Sequence, residues 1–174
     1  APAKVYDVLG TSAGVDRALA KLDTIKSQVV WWTAGAQTPQ LLADGEVIVG
    51  STYNGRLFAL IEEQKQPVAM LWDWQVFDLD GWIVPKGTKN KAEVMKFLRF
   101  ATDTQRLADQ AKFISYGPTR ASSAPLVGKH ATLGIEMAPH MPTAYSDQGF
   151  LTNFAWWADN GDEMNERFAA WLLQ

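Results

Sequence analysis

Residues Gly45–Arg56, GEVIVGSTYNGR, place a short apolar run, Val47-Ile48-Val49, directly before Tyr53, Asn54 and Gly55. A continuous apolar run of this length, bounded by glycines, predicts a buried strand. Such a strand would deliver an aromatic ring, an amide and a flexible backbone to one edge of a sheet, the edge where ligands sit in open α/β folds. From Gly55 onward Leu57, Phe58, Leu60 and Ile61 recur at helix spacing. The predicted order is therefore strand, ligand-facing turn, helix, and the predicted class is α/β.

On the N-terminal side, Gly45 fits the left-handed position past the end of a helix running through Ala43. Thr38 and Pro39 suit that helix's N-cap and first position. Val29–Trp32 predicts another buried strand, with Thr33–Gln37 as its exit loop. Gly14–Ile25 carries Val15, Ala18, Leu19, Leu22 and Ile25 on one face, an amphipathic helix. Ala1–Thr11 reads as a loop.

On the C-terminal side, Val68–Trp72 and Trp82–Val84 predict two more strands, followed by a turn at Pro85–Thr88. Asn90 and Glu93 have capping-box spacing ahead of a helix with Val94, Phe97, Leu98 and Ala101 inward. A further helix is predicted over Asp103–Lys112, and Tyr116-Gly117-Pro118-Thr119 has turn chemistry. Ser122–Gln148 is punctuated by proline and glycine around one apolar patch, Ile135–Met137. Asn160 and Glu163 suggest a second capping box, opening a final helix with Met164, Phe168, Trp171 and Leu172.

Composition removes several functions. The net charge of −3, with basic residues scattered, offers no stripe for nucleic acid and no polybasic patch for lipid. No apolar run approaches the roughly 18 residues of a membrane span. The chain has no cysteine, which removes disulfides, thiolate metal sites and thiol catalysis. His130 and His140 sit in no catalytic or metal spacing and read as surface histidines. Asp78 and Asp80 are not in register with a calcium loop, and the glycines form no phosphate cradle. No cofactor or metal is expected. A hydrolase or transferase would need a nucleophile beside a base, which scarce histidine and absent cysteine disfavour. A structural interaction module would have no preformed pocket beside Tyr53.

What remains is a binding chemistry. Trp31, Trp32, Tyr53, Trp72, Trp74, Trp82 and Tyr116 flank predicted strand ends, with Asp73, Asp78 and Asp80 interleaved. Ring faces attract a cation by about 0.5–2 kcal/mol, and a carboxylate adds a charge-assisted hydrogen bond. The combination suits a small organic amine.

The segments WWTAGAQTPQLLADGEV, GSTYNGR, DLDGWIVPKGTKNKAEVMKFLRFA, YGPT and FAWWADNGDEMNERFAAWLL together resemble, in order and spacing, the C-terminal portion of periplasmic solute-binding proteins of the spermidine/putrescine class. The resemblance implies a type II periplasmic-binding-protein lobe, a mixed sheet flanked by helices. It also implies a fragment lacking most of the first lobe. Residues 1–79 would be the first segment of the second lobe, 80–114 a hinge crossing with first-lobe helices, and 115–174 the return to the second lobe. It further implies a periplasmic receptor that is not an enzyme, with an ABC transporter permease as partner. A missing N-terminal lobe or a second chain would cover 90–112.

Carried over residue by residue, the resemblance places Tyr53 where an aromatic ring stacks on the solute, Asp80 where an acid pairs with its amine, Tyr116 as an aromatic wall and Gly35 where a polar contact often falls. The candidate ligand set is Gly35, Gln37, Tyr53, Asn54, Asp78, Asp80 and Tyr116, with a polyamine as the expected solute. Arg56 departs from this pattern, because its position is acidic in putrescine-binding members. A cation there repels an amine and favours a carboxylate, so an amino-acid-like or opine-like solute stands as the alternative.

Overall fold

The computed structural model describes residues 4–174, so the start of the predicted loop Ala1–Thr11 lies outside the described residues. The remainder of that loop is in part helical, as α1 (Val5–Leu9). Two compact units follow from the distribution of contacts, one built from the stretch up to Trp31 with Trp74–Phe77 and Gln148–Gln174, the other from Trp32–Asp73 and Asp78–Asp147.

The first unit is organised by aromatic rings. Helix α2 (Ser12–Asp23) is capped by Thr11, whose side chain accepts from the Gly14 N–H at 3.1 Å. The last helix, α7 (Phe154–Leu172), buries Trp171 against Trp31 and Phe168, with ring centroids 5.5 and 5.6 Å away. Lys26 lies 4.4 Å from the centroid of the Trp171 ring and donates to its carbonyl oxygen. Tyr6 packs between Phe150 and Trp156, and its hydroxyl accepts from the indole N–H of Trp157 at 2.9 Å. The sheet among the described residues is a parallel pair, β1 (Val76–Phe77) and β2 (Phe150–Leu151), with Val76 opposite Phe150 and Phe77 opposite Leu151.

The predicted Asn160–Glu163 cap is corrected: α7 starts earlier, where the Asn153 side chain accepts from the Trp156 N–H at 3.0 Å. Asn160 therefore sits inside the helix, its amide donating to the Trp156 carbonyl at 2.8 Å.

The second unit contains α3 (Gln37–Ala43), α4 (Asn54–Phe58) continuing as a π-helical turn over Ala59–Glu63, α5 (Lys91–Ala101) and α6 (Thr104–Gln110). Its core joins Phe58, Ala111, Met137 and Met141, with Val127, Leu133 and Ile135 packed around them. His130 belongs to this core and not to the surface: it is 7% exposed, 5.5 Å from the Phe58 ring, and its Nδ1 accepts from the Leu133 N–H at 3.2 Å. Gly45 takes the expected left-handed backbone, at φ 71°.

Two caps differ from expectation. Helix α3 begins at Gln37 because the Gln37 side-chain oxygen accepts from the Thr33 and Ala34 N–H groups, each at 2.8 Å, which tightens the preceding turn. Thr38 thus falls inside the helix and is buried. At α5 the Asn90 side chain makes no cap bond, and Glu93 pairs with Lys96 at 3.5 Å instead.

The four predicted strands Val29–Trp32, Val47–Val49, Val68–Trp72 and Trp82–Val84 are not strands. An apolar run becomes a strand only when a neighbour takes up its N–H and C=O groups, and among the described residues none pairs with them. Ile48 is 97% exposed and Ile83 87% exposed. Trp74 adopts φ 62°, outside the range a strand needs, and its N–H turns to the Gln148 carbonyl at 2.7 Å just ahead of β1.

Candidate functional site

The segment that carries most of the candidate residues is the start of α4. Tyr53 is extended, at φ −80° and ψ 130°, and its carbonyl accepts from the Arg56 and Leu57 N–H groups at 3.1 and 3.3 Å, so the helix opens at Asn54. Leu57, Phe58 and Leu60 are buried. Their burial fixes this segment on its apolar side, while Tyr53 and Arg56 stay exposed.

The Cδ2–Cε2 edge of Tyr53 lies against the Gly35 backbone. A Cβ built on Gly35 would stand 2.5 Å from Tyr53 Cε2, closer than any side chain can approach, so the ring occupies the space that a residue other than glycine would fill. Trp32 meets Tyr53 edge to face at 6.2 Å. Arg56 Nε approaches the same Gly35 position at 3.4 Å, which puts the guanidinium beside this aromatic pair. No ion pair engages Arg56 among the described residues.

Asn54 and Gly55 meet a different segment. The Asn54 amide donates to the carbonyl oxygen of Ser115, which is fully buried, and lies 3.4 Å from Ser115 Oγ. Tyr116 sits across Gly55, where a Cβ would be 2.8 Å from Tyr116 Cε1. The first turn of α4 therefore gathers Gly35, Tyr53, Asn54 and Tyr116 from the candidate set, together with Trp32, Gly55 and Arg56.

The remaining candidates lie elsewhere. The Gln37 oxygen is engaged by the turn it closes. Asp78 accepts from its neighbour Leu79 at 3.1 Å, and Asp78 and Asp80 are both exposed. No hydrogen bond, ion pair or ring contact joins either acid to Tyr53, Asn54 or Tyr116 among the described residues. The segment 79–84 has no pairing partner there to hold Asp80 over the helix start.

Two hollows adjoin this region. One, of about 240 Å³, is lined by Ala36, Pro39, Gln40, Arg56, Leu60 and Gln64, with Arg56 as its cation. The other, of about 280 Å³, is mostly apolar, with Phe58, Ile61, Met70, Trp72 and His140 around Glu62. Trp72 stacks on Tyr145 at 4.8 Å and 12°. No group of three or more acidic, histidine or cysteine side chains among the described residues could hold a metal ion. No helix among them is long and apolar enough to cross a membrane.

Arg56 and Gly55 were outside the candidate set. Arg56 was legible as a departure in charge, whereas Gly55 acquires its role from a contact made far along the chain and carries no local signal for it.

The site is thus a cluster of aromatic rings, Trp32, Tyr53 and Tyr116, at the start of α4 in an α/β scaffold. The family model for bacterial extracellular solute-binding proteins matches residues 2–143, and the chain belongs to that family. It is 38% identical over 170 residues to the gamma-aminobutyric acid-binding protein of Pseudomonas aeruginosa, covering 98% of this chain and 47% of that protein. A solved structure of the Atu4243-GABA receptor matches with a TM-score of 0.78 and 36% identity, over 99% of this chain and 54% of that one. An ABC transporter substrate-binding protein from Bradyrhizobium japonicum USDA 110 matches with a TM-score of 0.78 and 30% identity, over 98% of this chain and 51% of that one. These matches confirm the periplasmic-binding-protein-like α/β class. The chain spans about half the length of the relatives it matches. None of these relatives is described as binding a polyamine, so the spermidine/putrescine subtype is not supported.

Proposed function

We propose that this chain is the solute-recognising part of a receptor that serves an ABC importer, and that its solute carries both an amine and a carboxylate. Arg56 carries this reading. Its guanidinium stands beside Tyr53 and lines a hollow, with no ion-pair partner among the described residues. A diamine would meet a like charge there, whereas a carboxylate would gain a bidentate, charge-assisted hydrogen bond. The aromatic faces of Trp32, Tyr53 and Tyr116 suit the alkylammonium end. Two relatives described as binding gamma-aminobutyric acid support an ω-amino acid as the solute class, the alternative to the polyamine expected from sequence.

In this reading the protein works outside the cytoplasmic membrane. Closure of two lobes buries the solute and presents a surface to the permease. Residues 80–114 form the crossing toward the other lobe, and Asp78 and Asp80 reach the amine only when that lobe is in place. No bond of the solute is made or broken.

Calorimetric titration with gamma-aminobutyric acid, putrescine, butyrate and butylamine tests the reading. Gamma-aminobutyric acid is expected to bind best, and Arg56→Gln to weaken it by about tenfold or more, since hydrogen bonds to charged groups contribute about 1.5–3 kcal/mol. Putrescine binding as tightly as gamma-aminobutyric acid, with Arg56→Gln neutral, would return the solute to the polyamine class.

A further inference from the structure

Two contacts made at the start of α4 fix the same neighbouring segment. The Asn54 amide holds the carbonyl of the buried Ser115, and Tyr116, the next residue, sets the hydroxyl-bearing edge of its ring against Gly55. A Cβ at Gly55 would stand 2.8 Å from Cε1, 3.3 Å from Cζ and 3.4 Å from the hydroxyl oxygen of Tyr116. Carbon atoms in contact keep about 3.5–4.0 Å. Any side chain at position 55 would therefore move the ring.

The helix has no use for this glycine. Gly55 is the second residue of α4, and its φ lies outside the left-handed region that would call for glycine. Glycine is the poorest helix former after proline, so alanine would suit the helix better. What requires glycine at position 55 is the ring of Tyr116. Local preference and the ring contact pull in opposite directions, a conflict that proteins retain at working sites.

We infer that Gly55 is a positioning residue for solute recognition, seating Tyr116 against the first turn of α4 and so setting where the aromatic wall stands relative to Arg56. The inference rests on the proposed function, in which Tyr116 contacts the solute. It goes beyond that reading in assigning selectivity to a residue that has no side chain to touch the solute.

Two measurements test it. In the first, Gly55→Ala is compared with the unsubstituted protein for melting temperature and for affinity toward gamma-aminobutyric acid. The melting temperature is expected to be unchanged or raised while affinity falls about tenfold, and in a Tyr116→Leu background the same substitution is expected to cost almost nothing. An unchanged affinity, or a loss equal in both backgrounds, overturns the inference. The second needs neither ligand nor the alanine variant: the Gly55 α-protons, lying beside the hydroxyl-bearing edge of the ring, should have NMR chemical shifts that change in Tyr116→Leu. A shift that is the same with and without the ring overturns the seat. Should the unsubstituted protein bind none of the titrated solutes, the proposed function fails while the NMR result still decides whether Gly55 seats the ring.

Discussion

The indole N–H of Trp171 donates to Asp23 Oδ1 at 2.7 Å, joining the end of α2 to the last turn of α7. Trp171 is 4% exposed, while Asp23 faces solvent and accepts from the ring as a carboxylate. Asp23→Ala should therefore lower stability by about 1 kcal/mol, the net contribution of a part-exposed hydrogen bond. Trp171→Ala should cost about 3–5 kcal/mol through loss of the ring contacts with Trp31 and Phe168. In a Trp171→Phe background, which has no donor, Asp23→Ala should cost little. Denaturant unfolding of the four proteins gives the cycle, and additive losses would show that the bond is not the coupling.

Asn54 provides a second check on the site. Its amide is committed to Ser115, so in this structure it is a latch before it is a ligand contact. Asn54→Asp would keep the shape and set a carboxylate against a buried carbonyl. A loss of about 1–3 kcal/mol is expected in unfolding experiments, in the absence of any solute. A variant of native stability that had lost only solute affinity would instead make Asn54 a direct ligand.

Helices α2 to α7 were legible in the sequence because their signals are local, whereas α1 lies in a stretch that reads as a loop. The apolar spacing of α2, the helical pattern over Asp103–Lys112 that contains α6, and the left-handed Gly45 each involve residues a few positions apart. The strands were not legible, since Val47-Ile48-Val49 has strand chemistry but no neighbour within the described residues to pair with. The site divides in the same way. Tyr53, Asn54 and Arg56 stand out as one short stretch, but the contacts of Tyr53 with Gly35 and of Gly55 with Tyr116 join residues far apart in the chain. Charge at Arg56 was the signal for the amino-acid-like alternative, because it departs from the acid that the resemblance implies there and reverses the Coulombic preference of the site.

Asp109 gives the pH dependence. A hydrogen bond from Lys112 at 2.8 Å holds its carboxyl below the usual carboxylate range, with further help from Gln105 at 3.1 Å and from Arg106. A carboxylate whose folded pKa is depressed adds stability above its unfolded value, near ~3.9, and that contribution is lost as pH falls through the lower folded value. Asp109→Asn should melt slightly lower than the unsubstituted protein at pH 7. The gap should close progressively below about pH 4 and shrink with added salt, since surface ion pairs are screened. Melting curves from pH 7 to pH 2 check the sign: a gap that widens on acidification would rule the assignment out.

The last expectation concerns association. Helix α5 buries none of its residues: Met95, Phe97 and Phe100 are exposed, and Trp82, itself exposed, leans on Phe97 at 5.3 Å. A cluster of exposed apolar side chains of this kind marks an interface. The proposed crossing of residues 80–114 accounts for it, because that face would lie against the other lobe. Studied by itself, the polypeptide should self-associate through the same face, with a sedimentation mass that rises with concentration. The double substitution Phe97→Lys and Phe100→Lys should weaken that association by about tenfold or more without lowering the melting temperature, because neither ring is buried in the chain. A concentration-independent monomer would mean that α5 and Trp82 need no cover, and the lobe assignment of 80–114 would lose its physical basis.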